Sequence, residues 1–131
     1  MKRLIPFALL AGCISTPDPA LPVLGGQFAI DQVAGAAVPA GSTPSIAIDG
    51  QRVTGDAGCN RFTTGVSHGP TTLTFGAIAA TRMACADQAR AQFEQAFVAL
   101  LPQLTRWRLD GDRLTLSTAD GRVVSGRRTG A

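Results

Sequence analysis

Asp87 opens the stretch DQARAQFEQAFVALL, the segment of this chain in which apolar residues return at helical spacing. Ala89, Phe93, Ala96, Phe97 and Leu100 fall on one face, with Gln88, Gln92 and Gln95 on the other. Asp87 is placed to cap the N-terminus, and Pro102 stops the helix at about Leu101. A helix this short is marginal by itself in water, so its apolar face must lie against other structure. Full burial of Phe93, Phe97 and Leu100 would contribute about 5–8 kcal/mol. A core role for this face outweighs a ligand or partner groove.

What the helix packs on is written in period two. QFAIDQV alternates Phe28, Ile30 and, less cleanly, Val33. SIAIDGQRVTG reads as a hairpin, with Ile46 and Ile48 on one side of Asp49-Gly50 and Val53 on the other. NRFTTGV and TTLTF follow, separated by the turn-like SHGP, and GAAVPAGSTP (35–44) reads as a loop. Beyond the helix, TRWRL, RLTLS and RVVSGRR are joined by DGD (110–112) and TADG (118–121), which carry the Asp and Gly of tight turns. No repeat of fixed period occurs. Five strands, one helix and three strands predict an α+β fold. It is mostly antiparallel β, a curved sheet or incomplete barrel packed on one amphipathic helix. At 131 residues the chain has room for one such domain.

The chain begins MKRLIPFALLAGC: Lys2 and Arg3, an apolar run from Leu4 to Leu10, then Ala11, Gly12 and Cys13. That order of charged, apolar and small residues is a secretory signal, and the run is too short for a permanent membrane span. The ending LAGC resembles a bacterial lipobox, in which the cysteine is diacylated and becomes the mature N-terminus. Residues 1–12 are therefore expected to be removed and Cys13 to carry the lipid. Ile14, rather than Asp, at the next position implies outer-membrane retention by the enteric sorting rule. ISTPDPALPV, with Pro17, Pro19 and Pro22, reads as an extended tether over 13–23, reaching about 30 Å, before a domain at 24–131. The formal charge of +3 comes mostly from the targeting peptide, since losing Lys2 and Arg3 leaves ten basic and nine acidic residues. A net charge of +1 and no basic run interleaved with aromatics argue against nucleic acid as partner. GRRTG (126–130) reads as a solvated tail.

Two cysteines remain, Cys59 in GDAGCNRF and Cys85 in TRMAC. Outside the cytoplasm an even pair is most simply a disulfide. The closed loop of 26 residues would be worth about 3.5 kcal/mol. Sharper readings compete with it. A redox pair more commonly sits as Cys-x-x-Cys at a helix start. A thiol nucleophile needs a base, and His68 is the only histidine; in SHGP it reads as a turn residue. Zinc needs four ligands, and Cys59, Cys85 and His68 make three without the usual spacing. No catalytic residue, cofactor or metal is expected.

The same motifs carry a resemblance. GDAGCNRFTTGV, then LTFGAIAATRMAC (73–85), an amphipathic helix and LDGDRLTLSTADGRVV resemble the META domain of HslJ-like bacterial proteins, over roughly Leu24 to Arg128. One departure lies in the opening strand, where the family usually has Trp after Gly; here LGGQFAI places Phe28 in that role. The resemblance implies an antiparallel, barrel-like α+β fold and an envelope location, often as a lipoprotein, without an established enzymatic activity. Its heat-shock name extends to an envelope-stress role. Gly58 and Asn60 have a structural reading, as turn glycine and local hydrogen-bonding residue. Asn60, Arg61 and Arg82 form a candidate interaction patch, the arginines suiting an anionic contact. The expected function is a lipid-anchored, non-enzymatic envelope protein on the periplasmic side, binding or supporting another envelope component. The alternative is a carrier of a small apolar ligand or lipid, with Phe28, Phe62, Phe75 and Trp107 lining its cavity.

Overall fold

Alternation of apolar and polar side chains builds a long, strongly curved sheet. The computed structural model describes residues 23–131. Its strands are Gly26–Val33 (β1), Ala36–Ala37 (β2), Ser45–Asp49 (β3), Arg52–Asp56 (β4), Arg61–His68 (β5), Leu73–Phe75 (β6) and Ala79–Ala80 (β7). After helix α1 (Gln88–Leu100) come Leu104–Asp110 (β8), Arg113–Thr118 (β9) and Val123–Gly130 (β10). The expected signal segment (1–12), the cysteine expected to carry lipid, Cys13, and all but the last residue of the expected tether (13–23) lie outside the described residues.

The neighbour order is β6-β5-β4-β3-β1-β10-β9-β8, antiparallel throughout, with β2 folded back on β1 and β7 lying beside β5. Three glycines supply the left-handed backbone that the tight turns need: Gly50 (φ 61°) after β3, Gly111 (φ 58°) after β8 and Gly121 (φ 90°) after β9. The two ends of the sheet then meet. Trp107 donates its backbone N–H to Thr71 O at 3.0 Å and its indole Nε1–H to Gly69 O at 2.9 Å, and Thr72 bridges Arg106. The result is a nearly closed, barrel-like sheet, as the strand pattern predicted.

Inward-facing residues make one contiguous core, and Phe28, Phe62, Phe75 and Trp107 are all buried in it. On α1, Asp87 Oδ1 accepts from the Arg90 N–H at 2.8 Å, the expected N-cap. The Phe97 ring meets Phe62 edge-on at 5.7 Å, and Phe93 stacks beside it. The buried face is Phe93, Glu94, Phe97 and Leu100. Ala89 and Ala96, expected on that face, are exposed. The helix is turned toward Glu94, for a reason found at the cysteines. Pro102 sits in a 3₁₀ turn, Leu101–Gln103, that closes the helix. Two short strands went unforeseen: β2 lies inside the expected loop, and β7 precedes TRMAC. Among the described residues no helix is long and apolar enough to cross a membrane.

Candidate functional site

The turn leaving β4 is shaped by its own side chains. Asp56 Oδ1 accepts from the Gly58 N–H at 2.8 Å, and the Ala57 N–H reaches Asn60 O at 2.8 Å. Gly58 adopts φ 127°, a conformation costly for any residue with a Cβ. This turn swings Cys59 and Asn60 toward the N-terminal half of α1. From the other side, the chain leaving β7 stays on β5 through the Thr81 N–H, which donates to Arg61 O at 2.9 Å. It then runs past Met83 to Cys85, where a disulfide joins Cys59 across a Cα separation of 5.6 Å. The expected bridge is present, tying the β4–β5 turn to the approach of the helix.

Asn60 is the hub. It is 7 % exposed, and every hydrogen-bonding group of its side-chain amide is engaged. Oδ1 accepts from the Met83 N–H at 2.6 Å and from Thr81 Oγ1 at 3.0 Å. Nδ2 donates to Met83 O at 3.0 Å and to Glu94 Oε2 at 2.6 Å. The amide thus pairs with the Met83 backbone as a short length of strand would. Glu94, 8 % exposed, completes the set through Oε1, which accepts from the Asn60 N–H at 2.5 Å and the Cys59 N–H at 3.3 Å. Charge-assisted bonds of this kind are how an interior carboxylate is tolerated. They also explain the rotation of α1, since Glu94 must face the turn for three N–H groups to find an acceptor.

Both cysteine sulfurs lie 3.4 Å from Glu94 Oε2. Disulfide sulfurs carry no proton to donate, so these are packing contacts. The three side chains cluster as metal ligands could, but a disulfide offers no thiolate to a cation. His68 ends β5 at the opposite pole from Cys59, roughly 23 Å of extended strand away. There it stands edge-on to Trp107 at 5.7 Å. A Cys–His dyad or a Cys₂His site would need groups that β5 holds apart.

The three residues of the candidate patch separate by depth. Asn60 is interior, while Arg61 and Arg82 are exposed. The two arginines border a groove of about 470 Å³ between β7 and α1, with Ala57, Ala80, Val98 and Ala99 in its walls. Met83, 65 % exposed, follows Arg82 on the same segment. Neither arginine forms an ion pair among the described residues. Glu94 is the residue that sequence reasoning missed. The available signal was its spacing, three before Phe97 and seven before Leu101, which puts an acid in line with the apolar face.

Residues 21–130 match the family model described as META domain. No curated protein matches the chain. Two solved NMR structures share the fold. One, described only as a protein, is 24 % identical over 79 % of this chain and 89 % of its own, with a TM-score of 0.63. The other, from Burkholderia xenovorans, is 23 % identical over 80 % of this chain and 82 % of its own, with a TM-score of 0.63. At such identities the likeness speaks to fold alone.

Proposed function

The chain belongs to the META domain family, and on that premise we propose that it is a lipid-anchored, non-enzymatic protein of the bacterial cell envelope that binds or supports another envelope component. Cys13 would hold it to the outer membrane, facing the periplasm, with service under envelope or heat stress as the setting. The observation carrying this reading is how the two motifs are used. Their cysteines, Asn60 and Glu94 cross-link the fold internally, and Arg61 and Arg82 are what they leave outside. Such a site has the materials of a binding surface. Because Phe28, Phe62, Phe75 and Trp107 pack into the core, an external surface is favoured over an internal cavity for an apolar ligand.

The test joins mass with cross-linking. Membrane-extracted protein should have an intact mass that begins at Cys13 plus acyl chains, and alkylation should add nothing until the protein is reduced. Photo-crosslinking in intact cells should then recover a defined envelope component. An unacylated chain, or a survey in which no component cross-links, would defeat the reading.

A further inference from the structure

Strand β7 is, with β2, one of two places where the sheet is left open among the described residues. Among the described residues it pairs only with β5, so no strand lies along its other side. The chain from Ala79 to Ala84 is exposed at every residue. Proteins usually blunt such an edge with proline, inward charge or a covering segment, because it is a template for another strand. Here the edge is two alanines and a threonine, which let a second backbone approach closely. Beside it runs the groove of about 470 Å³, lined by Ala57, Ala80, Val98 and Ala99 together with the polar Gln95 and Glu94, and flanked by Arg61 and Arg82.

We propose that this edge and groove receive an extended, acidic peptide segment of a protein partner, added to β7 as a further strand. The inference rests on the envelope-binding reading and names the partner's chemistry. Side chains of an extended peptide alternate, so every second residue can enter the groove against Ala57, Val98 and Ala99 while its neighbours face the rim. The rim selects for acid. Arg61 and Arg82 are both cationic there. Asp56, opposite Arg61 across β4–β5, turns its Oδ1 to the Gly58 N–H and forms no ion pair with either arginine, and the Glu94 carboxylate is held by the Asn60 and Cys59 N–H groups and the Asn60 amide. The platform is also held rigid. Asn60 clamps the Met83 backbone at both N–H and C=O, and the disulfide fixes Cys85 two residues on, so little ordering cost falls on this side of the complex. Met83 adds an exposed, adaptable thioether at the end of the edge.

The test uses the full-length protein in detergent and a fluorescein-labelled octapeptide of alternating valine and glutamate, with a valine–lysine octapeptide beside it. Fluorescence anisotropy should report binding of the acidic probe and not of the basic one. Arg61→Glu/Arg82→Glu should weaken the acidic probe by about tenfold or more, as reversal of rim charges does. Hydrogen exchange should slow at residues 79–84 when the acidic probe binds. Three results would overturn the inference: no binding of the acidic probe, binding indifferent to the arginines, or protection elsewhere on the barrel. Arginine-dependent binding to phosphatidylglycerol vesicles without peptide binding would overturn it in favour of a lipid surface. In cells, cross-links that survive Arg61→Glu/Arg82→Glu would place the partner on another face while leaving the envelope reading intact. A missing acyl mass would defeat that reading while the peptide result stood.

Discussion

Glu94 shows how one residue can set the orientation of a helix. Its position on the buried face of α1 would be destabilising for an isolated acid, yet it answers three N–H groups: those of Cys59 and Asn60, and the Asn60 amide. Glu94→Ala leaves those donors buried without an acceptor and should cost about 3 kcal/mol. Glu94→Gln keeps one carbonyl oxygen but sets an amide against the Asn60 Nδ2, so it should fall between Glu94→Ala and the unaltered protein. Urea unfolding measures both, through a lowered midpoint at unchanged slope. A Glu94→Ala protein within about 0.5 kcal/mol of the parent would mean that water replaces the carboxylate at no loss. Asn60 was legible as a local hydrogen-bonding residue, and Gly58 as a turn residue. Their dependence on Glu94 was not, because a partner 34 residues away leaves no local pattern.

Among the elements, β1, β9 and β10 are pinned across their outer face as well as paired by backbone. The Asp31 carboxylate on β1 accepts from Arg113 on β9 at 3.2 and 3.0 Å, and from Ser125 Oγ on β10, which runs between them, at 3.2 Å. The Arg113 hydrogen bonds hold the Asp31 carboxyl below its ordinary range, and partial burial opposes them only in part. A depressed carboxylate contributes stability that is fully present above the unfolded value, about pH 4, and is lost as pH falls through the folded value. The parent protein should therefore lose more stability than Asp31→Asn on acidification below about pH 4, and the two curves should converge at the acid end. Urea midpoints at a series of pH values test this; parallel curves would mean that the pair is screened out by solvent. At this scale the long elements were readable. The Asp-Gly turns and the capped helix each satisfy a local rule that needs no tertiary partner. The two-residue strands β2 and β7 were not readable, since nothing in AA distinguishes a strand from a loop until a neighbour pairs with it. The rotation of α1 was hidden for the same reason, because alanine fits either face.

At the scale of the molecule, two devices hold the same pair of segments together. The Asn60–Met83 and Asn60–Glu94 hydrogen bonds act only in the folded state, whereas the Cys59–Cys85 bond also acts in the unfolded chain. That difference separates their effects. Reduction removes a constraint spanning 26 residues from the unfolded ensemble, worth about 3.5 kcal/mol, and leaves the native hydrogen bonds in place. For a domain whose whole stability is of order 5–15 kcal/mol, this is a large share without being all of it. Reduced protein should thus remain folded, with the near-ultraviolet signal of Trp107 preserved. Its urea midpoint should fall and its slope should rise, because the opened chain exposes more surface on unfolding. Cys59→Ala/Cys85→Ala should behave alike and removes any doubt about residual reductant. A midpoint unchanged by reduction would show that the unfolded chain already keeps these segments close. Collapse of the fold on reduction would show that Asn60 cannot hold them without the bridge.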